Sequence, residues 1–111
     1  IGSACGLERI FTINPYDLEQ SEEIIFREIQ APEPSLIISR APCPLRERKR
    51  VGPARAIDQE KCRGCELCLD LGCPAIEVGE SQPHINQSLC AGCGLCQQVC
   101  PAGAILGGDG A

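Results

Sequence analysis

The chain has 111 residues, 10 of them Cys, with 10 basic and 15 acidic side chains and a formal net charge of −5. That length holds one small domain, or one small domain with a piece of another. One Tyr, two Phe and no Trp leave little material for a large conventional core, and the acidic balance argues against nucleic acid as a partner.

Leu7 to Ile13 is β-rich and predicts a strand. Asn14-Pro15 predicts a helix start, with Asn14 as N-cap, Pro15 at the first helical position, and Asp17 and Glu19 near the positive end of the dipole. Leu18, Ile25 and Ile29, with Phe26 beside them, mark the apolar face of a helix to about residue 30, where Pro32 and Pro34 stop it. Ser35 to Ser39 is a short apolar strand of the buried, parallel kind. Strand, helix and strand over residues 1–40 read as one right-handed βαβ unit. Such a unit cannot bury both faces of its two strands. It is therefore expected to be the remnant of a larger α/β domain, whose other strands lie elsewhere.

Residues 41–56 read as a linker, with Pro42, Pro44, Gly52 and Pro53 around the solvated basic run Arg46-Glu-Arg-Lys-Arg50. Cys5 and Cys43 read as free buried thiols. No run approaches the length of a membrane-spanning helix, and no targeting segment is recognisable. The first residue is Ile, which points to processing or truncation.

The remaining eight cysteines fall in two groups of four. Cys62, Cys65, Cys68 and Cys73 form one, Cys90, Cys93, Cys96 and Cys100 the other, and each group ends in Cys-Pro. Thiolates at i, i+3 and i+6 point inward from one tight loop and wrap three corners of an iron–sulfur cube, a more distant Cys closing the fourth. Where two such runs occur in one chain, the fourth Cys of each ligates the other cluster. The expected sites are thus Cys62, Cys65, Cys68 and Cys100 for one [4Fe–4S] cluster and Cys90, Cys93, Cys96 and Cys73 for the second. Zinc would leave the third Cys of each triplet without a role. A disulfide framework suits secreted chains, but thiols in adjacent CxxCxxC loops pair poorly with one another. Rieske-type ligation needs two His per centre, and His84 is the sole His.

The two groups are also an internal repeat. Ile57 to Cys62 aligns with Ile85 to Cys90 at a shift of 28 residues, which becomes 27 between Cys73 and Cys100. The difference is one extra residue before Cys73, which enlarges that loop around Asp70. Short helical turns are expected over 66–72 and 94–99, and a hairpin from 76–78 to 83–85. Gly64, Gly92 and Gly94 are expected to let backbone approach the cubes. Ile57, Leu67, Ile76, Val78, Ile85, Leu95, Val99 and Ile105 are expected to form the apolar shell, with His84 exposed. Residues 57–107 thus form a 2[4Fe–4S] domain in which the clusters serve as core, with 108–111 as a flexible tail. Thiols held for metal point to a reducing compartment, most simply the cytoplasm.

Residues 57–107 resemble a bacterial-type two-cluster ferredoxin. The segments Asn-Pro-Tyr-Asp-Leu (14–18), Pro-Ser-Leu-Ile-Ile-Ser-Arg-Ala-Pro-Cys (34–43), the basic linker, and Cys-Leu-Asp-Leu-Gly-Cys-Pro-Ala-Ile (68–76) resemble, in order, the C-terminal end of the thiamine-diphosphate subunit of indolepyruvate:ferredoxin oxidoreductase. The resemblance implies an α+β chain: a βαβ piece closing a thiamine-diphosphate domain, then the ferredoxin domain. It implies electron transfer through two [4Fe–4S] clusters, from oxidation of a 2-oxoacid of the arylpyruvate type to an external ferredoxin. It implies the remainder of that oxidoreductase as partner, with no nucleic acid and no membrane. Thiamine diphosphate would be bound upstream of residue 1, since Gly108-Asp109-Gly110 is followed by a single residue and cannot be that family's Gly-Asp-Gly motif. No catalytic residue is expected in this chain. A free-standing dicluster carrier, or a docking domain stapled by structural clusters, are the alternative readings.

Overall fold

The structure is a computed structural model; it describes residues 1–107, so the tail reading for 108–111 lies outside the described residues. The chain divides into two units that part between Pro42 and Cys43.

In the first unit, strand β1 (Arg9–Ile13) pairs in parallel with β2 (Ser35–Ser39), and helix α1 (Leu18–Ile29) connects them. The βαβ reading holds here residue for residue in β2. Arg9, Phe11 and Ile13 share one sheet face with Ser35, Ile37 and Ser39. Glu28 of α1 reaches that face, accepting from Arg9 Nε at 2.7 Å, Arg9 Nη2 at 2.8 Å and Ser35 Oγ at 2.6 Å. The Arg27 guanidinium stands over the Phe11 ring at 4.9 Å.

The helix start differs from the expectation. Asp17, not Asn14, is the N-cap, its carboxylate accepting from Gln20 N at 3.1 Å. Asn14 instead closes an Asx turn, its Oδ1 accepting from Tyr16 N at 3.0 Å, so Pro15 lies in the turn before the helix. The inward face differs too. Ser21 and Glu28 are buried and Ile24 half-buried, while Ile25, Phe26 and Ile29 are 40%, 69% and 76% exposed. Polar partners on the sheet turned the helix: a carboxylate with three strong donors goes inside, and the isoleucines of the expected face go out. Ile38 on the second sheet face is likewise exposed, whereas Gly2 of the N-terminal turn sits against Ile10 and Leu36 there.

The second unit holds two small antiparallel ribbons. Strand β3 (Arg55–Ile57) pairs with β6 (Ile105–Gly107), and β4 (Ile76–Glu77) with β5 (His84–Ile85). Helix α2 (Pro44–Glu47), a 3₁₀ turn (Leu69–Leu71) and α3 (Leu95–Val99) complete it. The sequence repeat returns in the hydrogen bonds. Asp58 Oδ1 accepts from Glu60 N and Asn86 Oδ1 from Ser88 N; Cys62 N donates to Asp58 O, and Cys90 N to Asn86 O. Exposed His84 pairs with Glu77 at 2.7 Å across the β4–β5 ribbon.

The linker expected over 41–56 is only partly one. Val51 N donates to Ala91 O at 2.8 Å, Arg50 Nη2 to Gln87 O at 2.9 Å, and residues 55–56 already belong to β3. The core consists of Ile105, Ile76, Ala54, Ala75 and Ala104 with Cys68, Cys90 and Cys96. Leu67 and Val78, expected in the apolar shell, are 46% and 73% exposed. Cys5 and Cys43, expected buried, are both exposed free thiols.

Candidate metal centre

Eight thiols line two hollows of the second unit. Cys62, Cys65, Cys68 and Cys100 line the first, together with Ile57 and Ile105. Cys73, Cys90, Cys93 and Cys96 line the second, together with Ile76 and Ile85. Each hollow therefore draws three thiols from one loop and its fourth from the opposite half of the repeat. The loops make this possible locally. The 3₁₀ turn of the longer first loop ends on Gly72 in the left-handed conformation, and the chain then delivers Cys73 to the other side. Gln82 ties the first loop to the β4–β5 ribbon, donating to Cys62 O at 2.7 Å.

Burial within the quartets is graded. Cys68, Cys90 and Cys96 are buried, Cys65 is exposed, and the remaining four are intermediate. Burial pushes the Cys96 thiol up to about 11, and the neighbouring Cys93, Cys90 and Cys73 push the same way. Burial, reinforced by Cys100, Cys62 and Cys65, likewise raises Cys68. Several thiolates do not share a hollow without a cation among them.

The residues fit an iron–sulfur core. With the open space before them, the hollows measure about 340 Å³ and about 990 Å³. Backbone N–H groups already aim at thiol sulfurs: Ala104 N at Cys100 Sγ (3.4 Å) and Arg55 N at Cys90 Sγ (3.3 Å). Such donors stabilise cluster thiolates. Four thiols around each hollow suit the four corners of a cube.

At Gly92 the tight neighbour is backbone of the preceding segment. A Cβ there would meet Pro53 O at 2.7 Å and would overlap the Gly52 carbonyl. Arg55 escaped the sequence reading altogether. Arg55 lines the second hollow, its guanidinium lies beside Gly94, and its Nε is buried without a hydrogen-bond partner among the described residues. A signal for it existed: extending the repeat two residues upstream of Ile57 and Ile85 sets Arg55 against Pro83.

Residues 83–106 match the 4Fe-4S binding domain family, so this chain carries a domain of the iron–sulfur class. The chain is 42% identical over 106 residues, 95% of its length, to the indolepyruvate oxidoreductase subunit IorA of Methanothermobacter marburgensis. It is 32% identical over 113 residues to the IorA of Pyrococcus horikoshii. The chain spans 17% of the length of each of these curated relatives. A dihydromethanopterin reductase (acceptor) of Methanosarcina mazei is 38% identical over 56 residues, 47% of this chain and 23% of that protein. The resemblance drawn from the motifs thus reappears across nearly the whole chain, to a segment of an oxidoreductase subunit. Among the described residues, no helix is long and apolar enough to cross a membrane.

Proposed function

We propose that this chain is the electron-transfer segment of a 2-oxoacid:ferredoxin oxidoreductase of the indolepyruvate type, acting through two [4Fe–4S] clusters. Cys62, Cys65, Cys68 and Cys100 hold one cluster; Cys90, Cys93, Cys96 and Cys73 hold the other. The observation that carries this reading is the pair of hollows, each lined by four thiols drawn from both halves of the repeat. When bound, such a cluster takes up and returns one electron at a time. The chain's own residues lose the thiol protons on binding, exclude water through Ile57, Ile76, Ile85 and Ile105, and direct N–H groups at sulfur. None of them makes or breaks a substrate bond.

The first unit is the βαβ end of a thiamine-diphosphate domain, and that cofactor is bound by parts of the enzyme other than these residues. The exposed face of Ile25, Phe26 and Ile29 supports this over a free-standing carrier, because it is the surface a larger domain would cover. The remainder of the oxidoreductase is the partner, an external ferredoxin the acceptor, and the reducing cytoplasm the location. The acidic balance of residues 51–111, 7 acidic against 3 basic side chains, suits docking onto a basic patch of the acceptor. Anaerobic reconstitution tests the reading: about eight iron and eight sulfide per chain are expected for two cubanes, with a cubane EPR signal on reduction by dithionite. Zinc without iron would overturn it; iron without an EPR response to dithionite would favour purely structural clusters.

A further inference from the structure

The repeat relates the two hollows, and it breaks at one position that lines each of them. Ile57 corresponds to Ile85 and Asp58 to Asn86, so Arg55 corresponds to Pro83. Pro83 lines the first hollow and Arg55 the second. Backbone donors do not distinguish the two, since Ala104 N reaches Cys100 Sγ in one and Arg55 N reaches Cys90 Sγ in the other. The guanidinium does. Its Nε is enclosed with no acceptor, and no described carboxylate forms an ion pair with it. A buried charged donor left unpaired is costly and calls for an acceptor. The other Lys and Arg residues of the second unit are exposed: Lys61 and Arg63, and the run Arg46, Arg48, Lys49 and Arg50, which reaches the Cys90 loop through Arg50 and Gln87 O. Arg63 borders the first hollow, but there water screens it.

We propose that Arg55 is a positioning residue that sets the two clusters apart in potential. Its guanidinium, half-buried and enclosed at Nε, borders the anionic core held by Cys73, Cys90, Cys93 and Cys96 and supplies a donor and a positive charge. Reduction adds one electron to that core and makes it more negative, with no proton moved at Arg55. A cation in this partly enclosed position is screened less than an exposed one and therefore favours the reduced form. The hollow of Pro83 lacks such a group, so its cluster is the harder one to reduce. The inference rests on the two-cluster reading of the site.

Wild type, Arg55→Gln and Arg55→Lys test it as full chains reconstituted anaerobically, assayed for iron and sulfide, and titrated with dithionite against EPR intensity. Wild type is expected to reduce in two one-electron waves. In Arg55→Gln the upper wave moves to lower potential and the lower wave stays. A tenfold fall in the reduced-to-oxidised ratio at fixed potential corresponds to 59 mV. Arg55→Lys keeps most of the separation. A single wave in wild type, or an unmoved upper wave in an Arg55→Gln chain holding both clusters, overturns the proposal. If Arg55→Gln loses iron, Arg55→Lys decides: wild-type iron and waves support it, and a loss as complete as in the Gln variant overturns it. A wild-type chain that takes up no iron sinks the two-cluster reading itself, an outcome the iron assay separates from the others.

Discussion

Gly92 has no room for a side chain because the carbonyl oxygen of Gly52 occupies the place its Cβ would take. Gly92 also holds a φ of 75°, in the left-handed region. The basic segment before β3 is thereby keyed into the loop between Cys90 and Cys93, which explains why it packs as part of the second unit. Gly92→Ala combines the left-handed penalty of about 1–2 kcal/mol with overpacking of about 1–3 kcal/mol. Gly72 has a similar φ of 68° with nothing within 4 Å of a built Cβ, so Gly72→Ala should cost only the former. Denaturant unfolding followed by cluster absorbance should rank wild type above Gly72→Ala, and Gly72→Ala above Gly92→Ala. Equal costs for the two variants would mean that the Gly52 contact yields freely.

Because each hollow mixes the two halves, cysteine substitutions should combine by hollow and not by loop. Cys73→Ser and Cys93→Ser together should lose no more iron than either alone, about four per chain, since both empty one site. Cys73→Ser with Cys65→Ser should lose about four more, although Cys65 and Cys73 belong to the same sequence run. Iron and sulfide analysis after anaerobic reconstitution decides between the pairings. Additive loss for Cys73 with Cys93 would return each fourth Cys to its own run.

Glu28 predicts an acid transition in the first unit. Hydrogen bonds from Arg9, then from Ser35, lower its carboxyl from 4.5 to about 2. A carboxylate whose pKa falls on folding stabilises the folded form fully above the unfolded value. That contribution is lost as pH drops from about 4.5 toward about 2. Protection of the β1 and β2 amides against hydrogen exchange, taken relative to the intrinsic rate at each pH, should fall across that window in wild type. Glu28→Gln should be less protected at neutral pH, because it leaves Arg9 without its charged partner, and should respond less across the window. Parallel acid profiles for the two chains would remove Glu28 as the cause.

The readable parts of this chain were those fixed by short-range rules. Cys-x-x-Cys spacing forces tight loops, and proline boundaries with an apolar run place β2 at Ser35–Ser39. Long-range pairings left no comparable trace. β3 and β6 are three residues each and lie almost fifty positions apart, so nothing local announces that Arg55 faces Gly107. At the start of α1, Asn14 and Asp17 are both good caps, and only the geometry around Pro15 selects Asp17. The inward face of α1 was misread because hydrophobic periodicity assumes that a glutamate goes outward. Glu28 goes inward because Arg9 and Ser35, on two different strands, are there to meet it. Arg55 was missed because it lies at the end of the linker, seven residues before Cys62, and nothing local foretells the enclosure of its Nε.

The outward face of α1 makes a prediction about assembly. Phe26 and Ile29 are 69% and 76% exposed and lie one turn apart, so they gain little from the fold of this chain. Phe26→Asp with Ile29→Asp should change its unfolding free energy by less than about 0.5 kcal/mol per site, as for surface positions. The same pair should reduce concentration-dependent association of the 111-residue chain, because an uncovered apolar patch of this kind drives self-contact. On the proposed function, a longer subunit carrying this segment should show the opposite cost: with the face against the rest of a thiamine-diphosphate domain, each charge would be buried unpaired and the subunit would fail to accumulate. Sedimentation of the chain and yield of the intact subunit measure the two effects. A loss of about 2 kcal/mol or more in the chain alone, a core-sized value, would place the covering surface within these residues and argue for the free-standing carrier.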